Sequence, residues 1–143
     1  MFQRIIIVGN LGRDPELRYT PSGTPVTNFS VATNRTYTNA QGEQVKETIW
    51  FRVSAWGKTA ETTNQYLRKG SRVLVEGRLI ADPNTGGPRL WTRQDGTVGT
   101  SFEVRAITVR FLSSREEAEA LAQSTPDAAP VDDLPAAEDE IPF

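Results

Sequence analysis

The chain has 143 residues, enough for one ordinary domain with a real core. It contains no cysteine and no histidine, so disulfides, thiolate metal sites and iron–sulfur clusters are excluded, and the commonest general base and metal ligand is missing. The net charge of −2 hides an asymmetry: residues 1–112 carry 15 Lys and Arg against 9 Asp and Glu, whereas residues 113–143 carry one basic residue, Arg115, against 9 acidic ones.

Residues 2–9 read as a first strand. Its apolar run, Ile5 to Val8, is too short for a signal-peptide core or a membrane span, which predicts a cytoplasmic protein. Gly9-Asn10-Leu11-Gly12 reads as a strand-end turn, since no Gly-Lys-Ser/Thr follows to make a phosphate loop. Asp14-Pro15 and Pro21-Ser22-Gly23 punctuate the link to a second strand over 26–37. There Phe29, Val31 and Thr33 share one face, with Arg35 and Tyr37 farther along it. Residues 39–42 form a turn, and a third strand covers 45–56. Residues 58–69 are the only convincing helix, with Ala60, Thr63 and Leu67 at helical spacing and Gly70 placed to stop it. A fourth strand over 71–80 precedes a Gly/Pro-rich excursion to about residue 100, with a hairpin turn at Asp95-Gly96. A fifth strand over 100–112 closes the set. From residue 113 onward the chain holds 4 of its 9 prolines, many alanines and few β-branched or aromatic side chains. Such a segment buries too little apolar surface to offset its ordering entropy, so it is expected to be disordered.

Five strands with one helix between the third and fourth predict an all-β OB-fold, a five-stranded Greek-key barrel. The third strand is the most informative. Alternation puts Ile49, Phe51, Val53 and Ala55 on one side and Trp50, Arg52, Ser54 and Trp56 on the other. The second side is either core or a platform for stacking flat, negatively charged ligands such as nucleobases on a phosphate backbone. Arg89 and Arg93 flank Trp91 at the same two-residue spacing, which favours a basic-aromatic binding surface. Paired carboxylates such as Asp14 with Glu16, or Asp132-Asp133, lack the burial that tunes a general acid or base, so no catalytic or metal site is expected.

The strings IIVGNLGRDPELRY (6–19), residues 26–33 and 50–58, QYLRKGSRVLVEG (65–77) and the EDEIPF ending (138–143) resemble, in order and spacing, those of bacterial single-stranded DNA-binding proteins. The resemblance implies an OB-fold domain over 1–112, a linker over 113–137 and a partner-recruiting tip made of Glu138, Asp139, Glu140, Ile141, Pro142 and Phe143. It puts stacking aromatics at Trp50, Trp56, Trp91 and Tyr37. Arg4, Arg18, Arg35, Arg52, Arg68, Lys69, Arg72, Arg89 and Arg93 are the candidate phosphate contacts. It further implies a nucleoid-associated homotetramer that coats and protects single-stranded DNA during replication, recombination and repair, recruits the proteins of those processes, and is not an enzyme and uses no cofactor. A metal-dependent OB-fold nuclease and a narrower primosomal adaptor stay open as alternatives.

Overall fold

The computed structural model describes residues 1–113. In chain order these form β1 (Ile5–Leu11), β2 (Glu16–Tyr19), β3 (Pro25–Thr38), β4 (Gln44–Trp56), α1 (Lys58–Tyr66), β5 (Arg72–Ile80), β6 (Arg89–Thr92) and β7 (Val98–Phe111). Apart from Ser113, the disordered linker expected at 113–137 lies outside the described residues, and the tip at 138–143 lies wholly outside them.

The strands run in the order β1-β5-β7-β4-β3, and pairing of β1 with β3 closes them into a five-stranded barrel. All these contacts are antiparallel except β4 with β7, which is parallel from Phe51↔Phe102 to Ser54↔Arg105. The inward residues of every barrel strand meet in one cluster: Ile7 and Leu11, Phe29 and Val31, Phe51, Val53 and Ala55, Val73 and Val75, and Val104. Their alternation with polar neighbours is the sequence signal of a half-buried sheet closed on itself. The expected OB-fold is therefore the observed one. α1 covers one opening of the barrel, burying Ala60 and Thr63, and the Thr27 hydroxyl donates to the Ala60 carbonyl across 2.6 Å.

Beyond shifts of up to three residues at other strand ends, two boundaries and two short strands differ from expectation. β1 runs through Gly9 and Asn10 to Leu11 where a turn was expected, because it must reach β3 at Asn10↔Ala32 and Leu11↔Val31. At that crossing the strands approach so closely that a methyl group on Gly9 would overlap the Ala32 carbonyl, which is why a strand position holds glycine. The helix ends at Tyr66, short of the expected residue 69. Leu67 turns to extended backbone (φ −88°, ψ 144°) and drops its side chain into the core. Residues 68–71 then form a turn whose Gly70 amide donates to the Leu11 carbonyl, so Gly70 closes a turn beyond the helix rather than capping it. Two short strands were not separately expected. β2 pairs with β3 from Glu16↔Asn28 to Tyr19↔Pro25, and its polar–apolar alternation, Glu-Leu-Arg-Tyr, is only four residues long, too short a run between Asp14-Pro15 and Pro21 to announce a strand. β6 pairs with β7 from Arg89↔Ser101 to Thr92↔Val98, so the 81–100 excursion is a hairpin arm with its turn at Asp95-Gly96 as expected, its first strand being the added element.

Candidate nucleic-acid interface

The pairing of β3 with β4 is unbroken from Val26↔Trp56 to Thr38↔Gln44, so alternation assigns every side chain to a face. Two rungs cross the outer face of three strands: Ser30, Arg52 and Glu103, then Asn28, Ser54 and Arg105. Trp50 and Trp56 continue this face along β4. Trp56 is 39% exposed, Trp50 is half-buried, and neither belongs to the core cluster. Of the two readings left open for these tryptophans, the core one does not hold.

Two adjoining depressions lie on this face and share Arg13, Ser30 and Arg52. One, of about 470 Å³, is bordered by Trp50, Trp91 and Phe102. The other, of about 420 Å³, is bordered by Arg18, Asn28, Ser54 and Glu103. The arm supplies Trp91. Because β7 runs without a break from Gly99 to Arg105, Trp91 opposite Gly99 stands on the same side as Ser101, Glu103 and Arg105. Its ring has the Arg93 guanidinium at 5.0 Å and that of Arg52, from β4, at 5.7 Å. Trp56 likewise has Arg105 at 4.9 Å. Guanidinium beside indole, at cation–π distance, forms a surface on which a planar ring can stack while its charged backbone is held.

The other sequence candidates are dispersed. Tyr37 and Arg35, 4.6 Å apart, lie on the opposite side of the β3–β4 ribbon from Trp50, and Arg35 also faces Glu47 at 3.8 Å. Arg18 borders the groove and touches Glu16 at 3.2 Å. Arg89 faces Glu103 at 3.7 Å. Arg93 also donates to the Val98 carbonyl at 3.1 Å, which ties it to the arm. Arg4 is engaged by Glu76 at 3.4 Å. Arg68 donates to the Asn64 and Leu67 carbonyls at the end of α1. Lys69 stands in the following turn, where its amide donates to Asp14, and half-buried Arg72 opens β5. None of these last four borders either depression. Two arginines escaped the sequence reading. Arg13 borders both depressions from the β1–β2 connection, and Arg105 reaches Trp56 from a strand about fifty residues away. Only cross-strand register could have found Arg105.

Residues 2–112 match the single-strand binding protein family. Single-stranded DNA-binding proteins of Wolinella succinogenes (41% identical over 115 residues), Neisseria meningitidis (39% over 114) and Helicobacter hepaticus (38% over 115) each align with 80% of this chain. The alignments cover 67%, 62% and 64% of those proteins, so the matched stretch spans about two thirds of their length. A crystal structure of a deletion mutant of the single-stranded DNA-binding protein from Thermus aquaticus superposes with a TM-score of 0.61 at 27% identity, over 80% of this chain and 52% of that one. With its closed barrel, its matching family residues and these relatives, the chain belongs to the single-strand binding protein family.

Proposed function

We propose that this protein binds single-stranded DNA without reading its sequence, and that it acts by binding rather than by catalysis. The observation that carries this reading is the outer face of β3, β4 and β7, where exposed indoles have guanidiniums at 4.9–5.7 Å beside an arginine-bordered groove. Arginines that neutralise phosphates release counterions, and stacking on Trp50, Trp56 and Trp91 tolerates any base because every base has a π-face. Duplex DNA hides those faces, so single strands are preferred. Arg13, Arg18, Arg52 and Arg105 are the phosphate contacts best placed for this role. Arg89 and Arg93, on the arm that carries Trp91, come next, whereas Tyr37, Arg4, Arg35, Arg68, Lys69 and Arg72 lie away from the groove.

The reading extends to assembly and recruitment. β1 pairs with β5 along one edge but with β3 only at Asn10 and Leu11 along the other, so on that second edge Ile5–Gly9 have no strand partner among the described residues, and Ile6, Ile107 and Phe111 are exposed. Open strand edges and apolar surface favour association with further copies, in line with a homotetramer. Residues 138–143 combine an acidic run with Ile141 and Phe143, a composition suited to a basic-rimmed apolar pocket on replication, recombination and repair proteins. The test is a titration of tryptophan fluorescence with poly(dT), with duplex DNA as competitor, magnesium present and mass measured by light scattering. Quenching by single strands, intact DNA and a tetramer mass are expected. Equal affinity for duplex rejects the mechanism, and magnesium-dependent loss of DNA favours a nuclease.

A further inference from the structure

On the arm, every residue of β6 is exposed, yet Gly99 on β7 is buried. Its cover is the ring of its cross-strand partner: a methyl group on Gly99 would lie 2.8 Å from both Cε2 and Cζ2 of Trp91 and 3.1 Å from the Arg93 guanidinium. Those distances leave no room for a side chain. Gly99 has no positive φ, so turn geometry does not require glycine here, and in an exposed strand glycine is a weak choice that β-branched residues would improve. The six-membered side of the indole sits over the glycine, and in that position the ring also comes within 5.7 Å of Arg52 on the barrel.

We propose that Gly99 is a positioning residue for ligand binding: it is the seat that holds the Trp91 ring down on the arm, facing the groove and Arg52. This rests on the proposed binding of single-stranded DNA, for which Trp91 is a stacking platform. A side chain at 99 lifts the ring off its seat while leaving the barrel untouched, because neither Gly99 nor Trp91 is among the core residues.

The experiment has two arms. In the free full-length protein carrying Trp50→Phe and Trp56→Phe, so that Trp91 is the only fluorophore of its kind, acrylamide quenching is compared with and without Gly99→Ala and Gly99→Val. Both substitutions are expected to raise the quenching constant, valine more than alanine. In the otherwise unsubstituted protein, Gly99→Ala is expected to weaken binding of a dT oligomer about tenfold, the scale of one lost stacking contact, at unchanged or slightly raised thermal stability. In a Trp91→Ala background the same substitution is expected to change affinity by less than about twofold, since the two residues act as one unit. Unchanged quenching, or an equal loss of affinity in both backgrounds, overturns the proposal. Failure of the unsubstituted protein to bind dT removes the binding role and the function together, whereas unchanged quenching beside normal binding removes the seat alone.

Discussion

Trp56 stands clear of the core, 39% exposed with the Arg105 guanidinium 4.9 Å from its ring, so its replacement tests binding more than folding. Trp56→Ala is expected to weaken single-stranded DNA binding by about 1–3 kcal/mol, the range for one stacked base, with little change in melting temperature. Fluorescence titration paired with thermal denaturation checks it, and a stability loss at unchanged affinity would contradict it. Gly9 is the reverse case. A methyl group there meets the Ala32 carbonyl and Val31 at the β1–β3 crossing, and neither can withdraw without opening the barrel. Gly9→Ala is expected to destabilise the fold by about 1–3 kcal/mol or more, as overpacking does, read from the urea midpoint.

At the scale of the element, the β6–β7 arm is held at its base and at its tip by carboxylates. Asp82 accepts the Asn84 amide at 2.9 Å and the Leu90 amide at 3.4 Å, and these hydrogen bonds, the Asn84 one foremost, hold its pKa below the ordinary 3.8. Asp95, at the turn, accepts the Thr97 hydroxyl at 2.6 Å and the Thr97 amide at 2.9 Å, which lower its pKa in the same order. A carboxylate with a depressed folded pKa contributes its stability above the unfolded value and loses it as pH falls through the folded one. The arm is therefore expected to be fully tied at neutral pH and to loosen only below about pH 4. Amide exchange of Leu90 and Thr97 should accelerate relative to the barrel strands as pH is lowered. Asp82→Asn should abolish the pH dependence at Leu90.

For the whole molecule the decisive quantity is the charge separation between residues 1–112, with 15 basic against 9 acidic residues, and residues 113–143, with 1 against 9. Affinity for single-stranded DNA is expected to fall as salt rises, with a log–log slope of about −0.7 for each phosphate neutralised. Salt-independent binding would rule out the electrostatic part of the mechanism. If the acidic groups of residues 133–143 compete with phosphate as the charge separation leads us to expect, deleting them should leave binding intact or slightly tighter at low salt. Deleting Phe143 alone keeps every acidic side chain, and it should abolish capture of replication and repair proteins from a bacterial lysate. Apolar anchors of that kind can contribute about 2 kcal/mol or more.

The barrel strands, the helix and the turns at Asn39 and Asp95 were legible because their signals are local: alternation of two, spacing of three and four, and turn chemistry all lie within a few residues. The alternation of residues 49–56 set Phe51, Val53 and Ala55 against Trp50, Arg52 and Trp56 without reference to any other strand, and the fold preserved that division. Tertiary structure alone decided which arginine meets which ring. It brought Arg105 to Trp56 and Arg52 to Trp91, engaged Arg4 and Arg68 elsewhere, and put Tyr37 on the other side of its ribbon. It also explained Gly9 inside a strand and Gly99 beneath an indole. These are products of cross-strand register and of close approach between segments up to about seventy residues apart, for which the chain carries no short-range pattern.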